Sequence, residues 1–279
     1  MKPLKNFTNS LKSDPNEFWA TVKYLGDCLG YAKRGNILVH SEKDIINQLH
    51  KAKLPINSNT ITELQLYFKL RKDALETTSN HLMNLEQAKT LFYELKSDPA
   101  LATIVNDIPF PKNKQKGEKR AYAYFTGIIN MLTAYSIISK DVNRLTNINY
   151  DPRNLATYTT HEKLVFTSSR RFDGAIPAIS NPKLVWEIKE YYYTTSFGSR
   201  IADGVYETQL DGFELKNLRK SQNITIQHVF LVDAYDTWWN QGKPYLCRIF
   251  DTLNQGLVDE VIFGDEVLTE WPKIIQNVI

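Results

Sequence analysis

Asp173, Glu187 and Lys189 are the residues of this chain whose types and spacing could do chemistry together. Glu187 and Lys189 stand two apart in LVWEIKE, a β-branched and aromatic run that reads as a strand. Their side chains therefore share one face, opposite Trp186 and Ile188. An acid and a lysine so placed are either an edge-strand ion pair, worth little, or two parts of a reacting site. Asp173 lies in the preceding strand run, at FDG, with 13 residues between it and Glu187. The turn-rich Ser180-Asn181-Pro182 folds that run back against the next one and can bring Asp173 beside Glu187, although register is not readable from sequence. Two carboxylates on adjacent strands suit a hard divalent cation: Mg²⁺ takes one or two carboxylates and completes its shell with water and phosphate oxygens. Such an ion lowers the pKa of a bound water and stabilises charge on a phosphoryl oxygen. Lys189, kept protonated by its acidic neighbours, can orient or stabilise the resulting hydroxide.

The elements that must position these residues follow from periodicity. Phe18, Val22, Leu25 and Leu29 recur at helical spacing and Gly30 ends the run. Ser41 is an N-cap before DIINQLHKAKL, and Thr60 opens TITELQLYFKLRKDALE, so the two helices have the outline of a helix-turn-helix unit. A helix covers about Leu85 to Lys96, and a basic, proline-punctuated loop follows, IPFPKNKQKGEKR. The next helix is expected to start near Glu118 and to bury Ala121, Phe125, Ile128, Ile129, Leu132 and Tyr135. After Asp151 the pattern changes. KLVFTSS, RFDGAIPAI and KLVWEIKEYYY read as three strands, a helical run spans about Ala202 to Leu218, and TIQHVFLVDAY is an apolar, central strand. KPYLCRIFDTLNQ is a helix, DEVIFGD a short strand, and TEWPKIIQNVI a helix interrupted by Pro272. The order predicts an α/β layer with a mixed sheet.

On these residues the chain resembles the PD-(D/E)XK nuclease superfamily, and most nearly its type II restriction endonucleases, over roughly residues 117 to 265. The resemblance implies a restriction-endonuclease-like mixed sheet flanked by helices, behind a mainly helical N-terminal region. Residues 1–110 would be that helical part, a candidate DNA-recognition region, and residues 111–279 the catalytic domain. It also implies that Asp173 and Glu187 bind Mg²⁺, that Lys189 serves the attacking water, and that Glu118 adds an acid from the preceding helix. The family's proline before the first acid is Phe172 here, and Gln209 with Phe213 resembles the QxxxY motif of the exonuclease branch with its tyrosine replaced. The implied activity is Mg²⁺-dependent hydrolysis of double-stranded DNA at a specific sequence. Cutting both strands calls for a two-fold homodimer, and a companion DNA methyltransferase would act on the same site. Two rivals remain: a repair or recombination nuclease of the same fold, and a non-catalytic DNA-binding regulator whose acid–lysine cluster is structural.

The charge distribution leaves two readings open, scatter of solvated charge or a surface that meets a polyanion. The formal charge of +3 divides unevenly, with 21 basic against 14 acidic residues in 1–150 and 13 against 17 in 151–279. A basic half would meet the phosphates and an acidic half would hold a cation. Within the basic half, Lys112, Lys114, Lys116 and Arg120 are the DNA-contact candidates. The five histidines fall in no metal-ligand spacing, and no P-loop, G-x-S-x-G or dinucleotide fingerprint occurs. The start has lysines but no apolar core of a secretory signal, no run is long enough to span a membrane, and the two cysteines read as buried thiols in a reducing cytoplasm.

Overall fold

Helix starts in the first half are fixed by short polar side chains that satisfy the orphan N–H groups of a first turn. The structure, a computed structural model, describes residues 1–55, 57–113, 121–139, 148–193 and 198–279. After a short α1 (Lys5–Asn9), Asp14 accepts from the N–H groups of Asn16 and Glu17 to open α2 (Pro15–Leu29). A small hairpin, β1 (Ala32–Lys33) and β2 (Asn36–Ile37), precedes α3 (Glu42–Lys51), which Ser41 caps as expected. Asn57 caps α4 (Ser58–Thr78), and Asn84 with Gln87 forms a capping box at α5 (Leu85–Lys96). The following helix, α6, spans Tyr124–Ile138 and so begins later than Glu118. Its cap is tertiary: the Glu190 carboxylate accepts from the N–H groups of Phe125 and Thr126. Just upstream, Tyr122 bridges Lys112 in antiparallel fashion, so the chain at 121–123 is not helical. Tyr135 faces outward rather than into the core, and Cys28 is exposed while Cys247 is buried.

The second half contains β3 (Asn149–Tyr150), β4 (Thr157–Thr160), β5 (Lys163–Thr167), β6 (Gly174–Ile176) and β7 (Leu184–Glu190). They are followed by α7 (Ser199–Gln222), β8 (Gln227–Asp233), α8 (Lys243–Asn254), β9 (Glu260–Phe263) and α9 (Val267–Val278). Five strands form one mixed sheet in the order β3-β6-β7-β8-β9. The joins β3/β6 and β6/β7 are antiparallel, and β7/β8 and β8/β9 are parallel. The crossovers α7 and α8 supply the connections that parallel neighbours require. KLVFT pairs with β4 in a separate hairpin and not with the main sheet, whose edge is Asn149–Tyr150 instead. The reason is visible in burial: no residue of β5 is buried and Leu164 is 62% exposed, so that run has no core face to add to a sheet. Helix α9 runs through Pro272 unbroken, held by buried Trp271, Ile274 and Ile275.

Strand alternation sorts the sheet into two faces. Leu184, Trp186, Val229, Leu231 and Ile262 pack with α6 and α9, where the Trp186 and Trp271 rings meet edge-on. On the other face Phe230, Val232, Val261 and Phe263 share a core with α7 and α8. That second core continues into the N-terminal helices through Phe18, Val22, Leu64, Tyr67 and Phe68. Among the described residues, no helix is long and apolar enough to cross a membrane.

Candidate active site

The strand register decides where Asp173 sits. Gly174 pairs with Trp186, Ala175 with Val185 and Ile176 with Leu184, so Asp173 falls beside Glu187 one position further out. The Asp173 N–H donates to the Trp186 carbonyl at 3.0 Å, and its Oδ2 accepts from the Ile188 N–H at 2.7 Å. The glycine after it is required: a Cβ on Gly174 would stand 1.9 Å from the Trp186 ring that covers it. Glu187 and Lys189 lie on the α7 side of the sheet, and Gly204 of α7 lets Lys189 pass close, with its Cδ and Cε 3.2 Å from where a Cβ would be.

Helix α7 and the loop before β6 close the cluster. Arg170 reaches Glu187 Oε1 at 3.0 Å, Glu207 Oε2 at 3.0 Å and Asp211 Oδ2 at 2.8 Å. Lys189 Nζ lies 3.2 Å from Glu187 Oε2 and 3.3 Å from Glu207 Oε2. Four carboxyl groups, Asp173, Glu187, Glu207 and Asp211, thus surround two fixed cations, an excess of two negative charges when all are ionised. Burial, and then the neighbouring Asp173, push Glu187 up to about 8. Burial also raises Asp173, and lifts Asp211 to about 6. For Lys189 burial acts downward, but Glu187 and Asp173 outweigh it and hold the ammonium above its usual value. Glu187 Oε1, although buried, accepts no well-aligned hydrogen bond.

Those features fit a hard divalent ion. The donors are all oxygen, two buried carboxylate oxygens of the cluster, Glu187 Oε1 and Asp211 Oδ1, accept no well-aligned hydrogen bond, and with all four acids ionised the excess charge equals that of one such ion. Asp173 and Glu187 are the residues that would hold it. Among the described residues, no three His, Cys, Asp or Glu side chains form a ready-made ligand set; Arg170 and Lys189 lie between the acids instead.

Of the residues singled out in the sequence, Asp173, Glu187 and Lys189 come together. Glu118, Lys114, Lys116 and Arg120 lie outside the described residues, and Lys112 is exposed. After residues 114–120 and the non-helical stretch 121–123 comes α6, whose first N–H groups bond Glu190, three residues past Glu187. Glu207 and Asp211, four residues apart on one face of α7, join the cluster through Arg170. Gln209 turns away and donates to Thr252 Oγ1 at 2.8 Å, and Phe213 is exposed. Arg170 had no sequence signal beyond an arginine pair between two strand runs; its partners are 17 to 41 residues away. The outward side of α4, second helix of the helix-turn-helix outline, sets Lys69 against Asp73 and Glu76, so it carries no positive excess. His228 is buried, and burial pulls it down to about 4.

No curated protein and no solved structure matches the chain. Residues 1–78 match the profile described as Domain of unknown function (DUF7690). Residues 83–278, which include every member of the acid–base cluster, match Domain of unknown function (DUF7687), and the chain belongs to that family.

Proposed function

We propose that the chain is a Mg²⁺-dependent endonuclease that hydrolyses double-stranded DNA at a specific sequence, with a restriction-endonuclease-like sheet as its scaffold. The observation that carries this reading is the hairpin register: it sets Asp173 against Glu187, with Lys189 on the same face and two negative charges in excess. Asp173 and Glu187 would hold Mg²⁺, which would supply Lewis acidity to the attacking water and to a phosphoryl oxygen. Lys189 orients the attacking water, and Glu207 fixes the Lys189 side chain from the far side. Arg170, whose planar guanidinium is suited to bidentate phosphate contact, meets the scissile phosphate once the acids are otherwise neutralised. The attacking water's oxygen bonds to phosphorus and gives up a proton to solvent, the ester P–O bond breaks, and the departing oxygen takes a proton from solvent, so the step consumes one water. Lys112 and the basic loop contact backbone phosphates, which positions the duplex without reading bases. A second copy of the chain cuts the other strand, and a methyltransferase acting on the same site protects the host DNA. A repair or recombination nuclease would use the same residues.

One observation favours a non-catalytic reading. Arg170 and Lys189 already neutralise half of the acids, so the cluster is close to a self-contained buried ion network. In that case the protein binds DNA without cutting it.

Digestion of a defined plasmid with and without Mg²⁺, followed by sequencing of the ends, separates these readings. Wild-type protein is expected to cut with Mg²⁺ or Mn²⁺ and not with Ca²⁺, which is larger and a weaker acid for its water. Asp173→Ala, Glu187→Ala and Lys189→Ala are each expected to abolish cutting in folded protein, with Lys189→Ala retaining metal binding. Cutting in chelator, or near-normal turnover in a triad variant, overturns the mechanism. Ends shared among sites support sequence-specific restriction over repair.

A further inference from the structure

Helix α7 turns Glu207 and Asp211 toward the site, and what remains of its surface is one narrow outer ridge. Between Ile201 and Lys220 the exposed residues are Asp203, Tyr206, Leu210, Phe213, Asn217 and Lys220, and every other residue is buried or half-buried. The intervals alternate three, four, three, four, three, the spacing of a two-helix seam. An outward ridge on a globular helix is ordinarily polar. Here its middle is Tyr206, Leu210 and Phe213, 49%, 47% and 57% exposed.

We propose that this ridge pairs with the same ridge of a second copy of the chain, antiparallel about a two-fold axis between Leu210 and Phe213. About that axis the ridge complements itself at every position. Asp203 meets the partner's Lys220, Tyr206 meets the partner's Asn217, and Leu210 meets the partner's Phe213. A parallel pairing would instead oppose Asp203 to Asp203 and Lys220 to Lys220, so the charges select the antiparallel arrangement. The Tyr206 hydroxyl accepts from Arg248 Nη1 at 2.7 Å, which leaves its proton to donate to an amide oxygen. From Asp203 to Lys220 the seam is about 26 Å long at 1.5 Å per residue. A hollow of ≈ 470 Å³ beside it, lined by Tyr24, Tyr31 and Arg248 among others, shares Tyr206 and Phe213 with the ridge and extends the ground a partner covers. The pairing argument stands on the ridge alone. Its bearing on cutting both strands rests on the nuclease reading: each copy brings the acids of the same helix.

Sedimentation velocity on the full chain, without DNA or metal, tests the pairing independently of cleavage. The wild-type protein is expected to be a dimer at about 10 μM, where interfaces of ordinary size are occupied. Leu210→Glu with Phe213→Glu is expected to give a monomer. Asp203→Lys and Lys220→Asp, each alone, place two like-charge contacts in every dimer and are expected to weaken it roughly tenfold. The two swaps together restore opposite charges and the dimer, and neither touches the core. A monomeric wild type, a dimer that survives Leu210→Glu with Phe213→Glu, or a combined swap no tighter than the single ones overturns the proposal.

Discussion

Arg170 spans Glu187, Glu207 and Asp211, and its removal separates a metal site from a self-contained ion network. Arg170→Ala leaves Glu187 and Asp211 buried beside one remaining cation, Lys189. Breaking a buried pair costs about 3–5 kcal/mol, and because Arg170 is itself partly open to solvent the loss here is expected nearer to about 1–3 kcal/mol. Under the nuclease reading Mg²⁺ recovers much of that loss by replacing the missing positive charge. Thermal melts of wild type and Arg170→Ala, in chelator and in Mg²⁺, give the result. A larger Mg²⁺-induced rise in Tm in the variant is expected, and equal rises would count against the acids as an ion site.

Two glycines govern how the elements approach one another. Gly174→Ala drives a methyl group into the Trp186 ring on the neighbouring strand, in the hairpin that aligns Asp173 with Glu187. Overpacking of this kind costs about 1–3 kcal/mol, so a lowered Tm and lost cleavage are expected together. Gly204→Ala on α7 meets the Tyr191 hydroxyl at 2.9 Å and the Lys189 stem at 3.2 Å, the ends of movable side chains. Its Tm is expected to stay near wild type while turnover falls, because Lys189 is displaced from Glu187. Normal turnover in folded Gly204→Ala would mean that the Lys189 position is not critical.

Across the whole molecule, the N-terminal helices and the sheet domain share one core. Arg71 of α4 is fully buried against Asp251 of α8 at 3.1 Å, and the Tyr67 hydroxyl donates to the same acid at 2.6 Å. The stability of this assembly depends on pH through buried acids. Burial lifts Glu187 and Asp233 to about 8 and Glu190 to about 7. Each binds a proton more tightly when folded, so its stabilising contribution is complete below the unfolded carboxyl value and is lost as pH rises through the folded value. His228, lowered to about 4 by burial, works oppositely: its contribution is complete above the unfolded imidazole value, about 6.5, and is lost as pH falls toward 4. Between pH 6.5 and 8 the acids therefore dominate, and Tm in chelator is expected to fall across that window. Mg²⁺ favours ionised Glu187, so the Tm gain from Mg²⁺ should be greater at pH 8 than at pH 6.5, and Glu187→Gln should remove most of that difference. A Tm that rises with pH in chelator would contradict the assigned direction.

Local chemistry in the sequence was sufficient for several features. The alternation of LVWEIKE set Glu187 and Lys189 on one strand face. Ser41 read as a cap is a cap, and the helix-then-strand order is that of the α/β structure. Each depends on neighbours within a turn or a pleat, and so is written in consecutive residues. Long-range packing decided the rest. Glu190 of β7 caps α6, 65 residues earlier in the chain, which moves the helix start to Tyr124. KLVFT has strand-forming residues, but only a neighbour could have given it a buried face, and the sheet edge went to Asn149–Tyr150. The register beside Asp173 was set by the fit of Trp186 over Gly174, and Arg170 joined the acids because a loop and a helix close over the same strand. A charge network that crosses three elements has no period and no fixed spacing, so only the folded chain could assemble it.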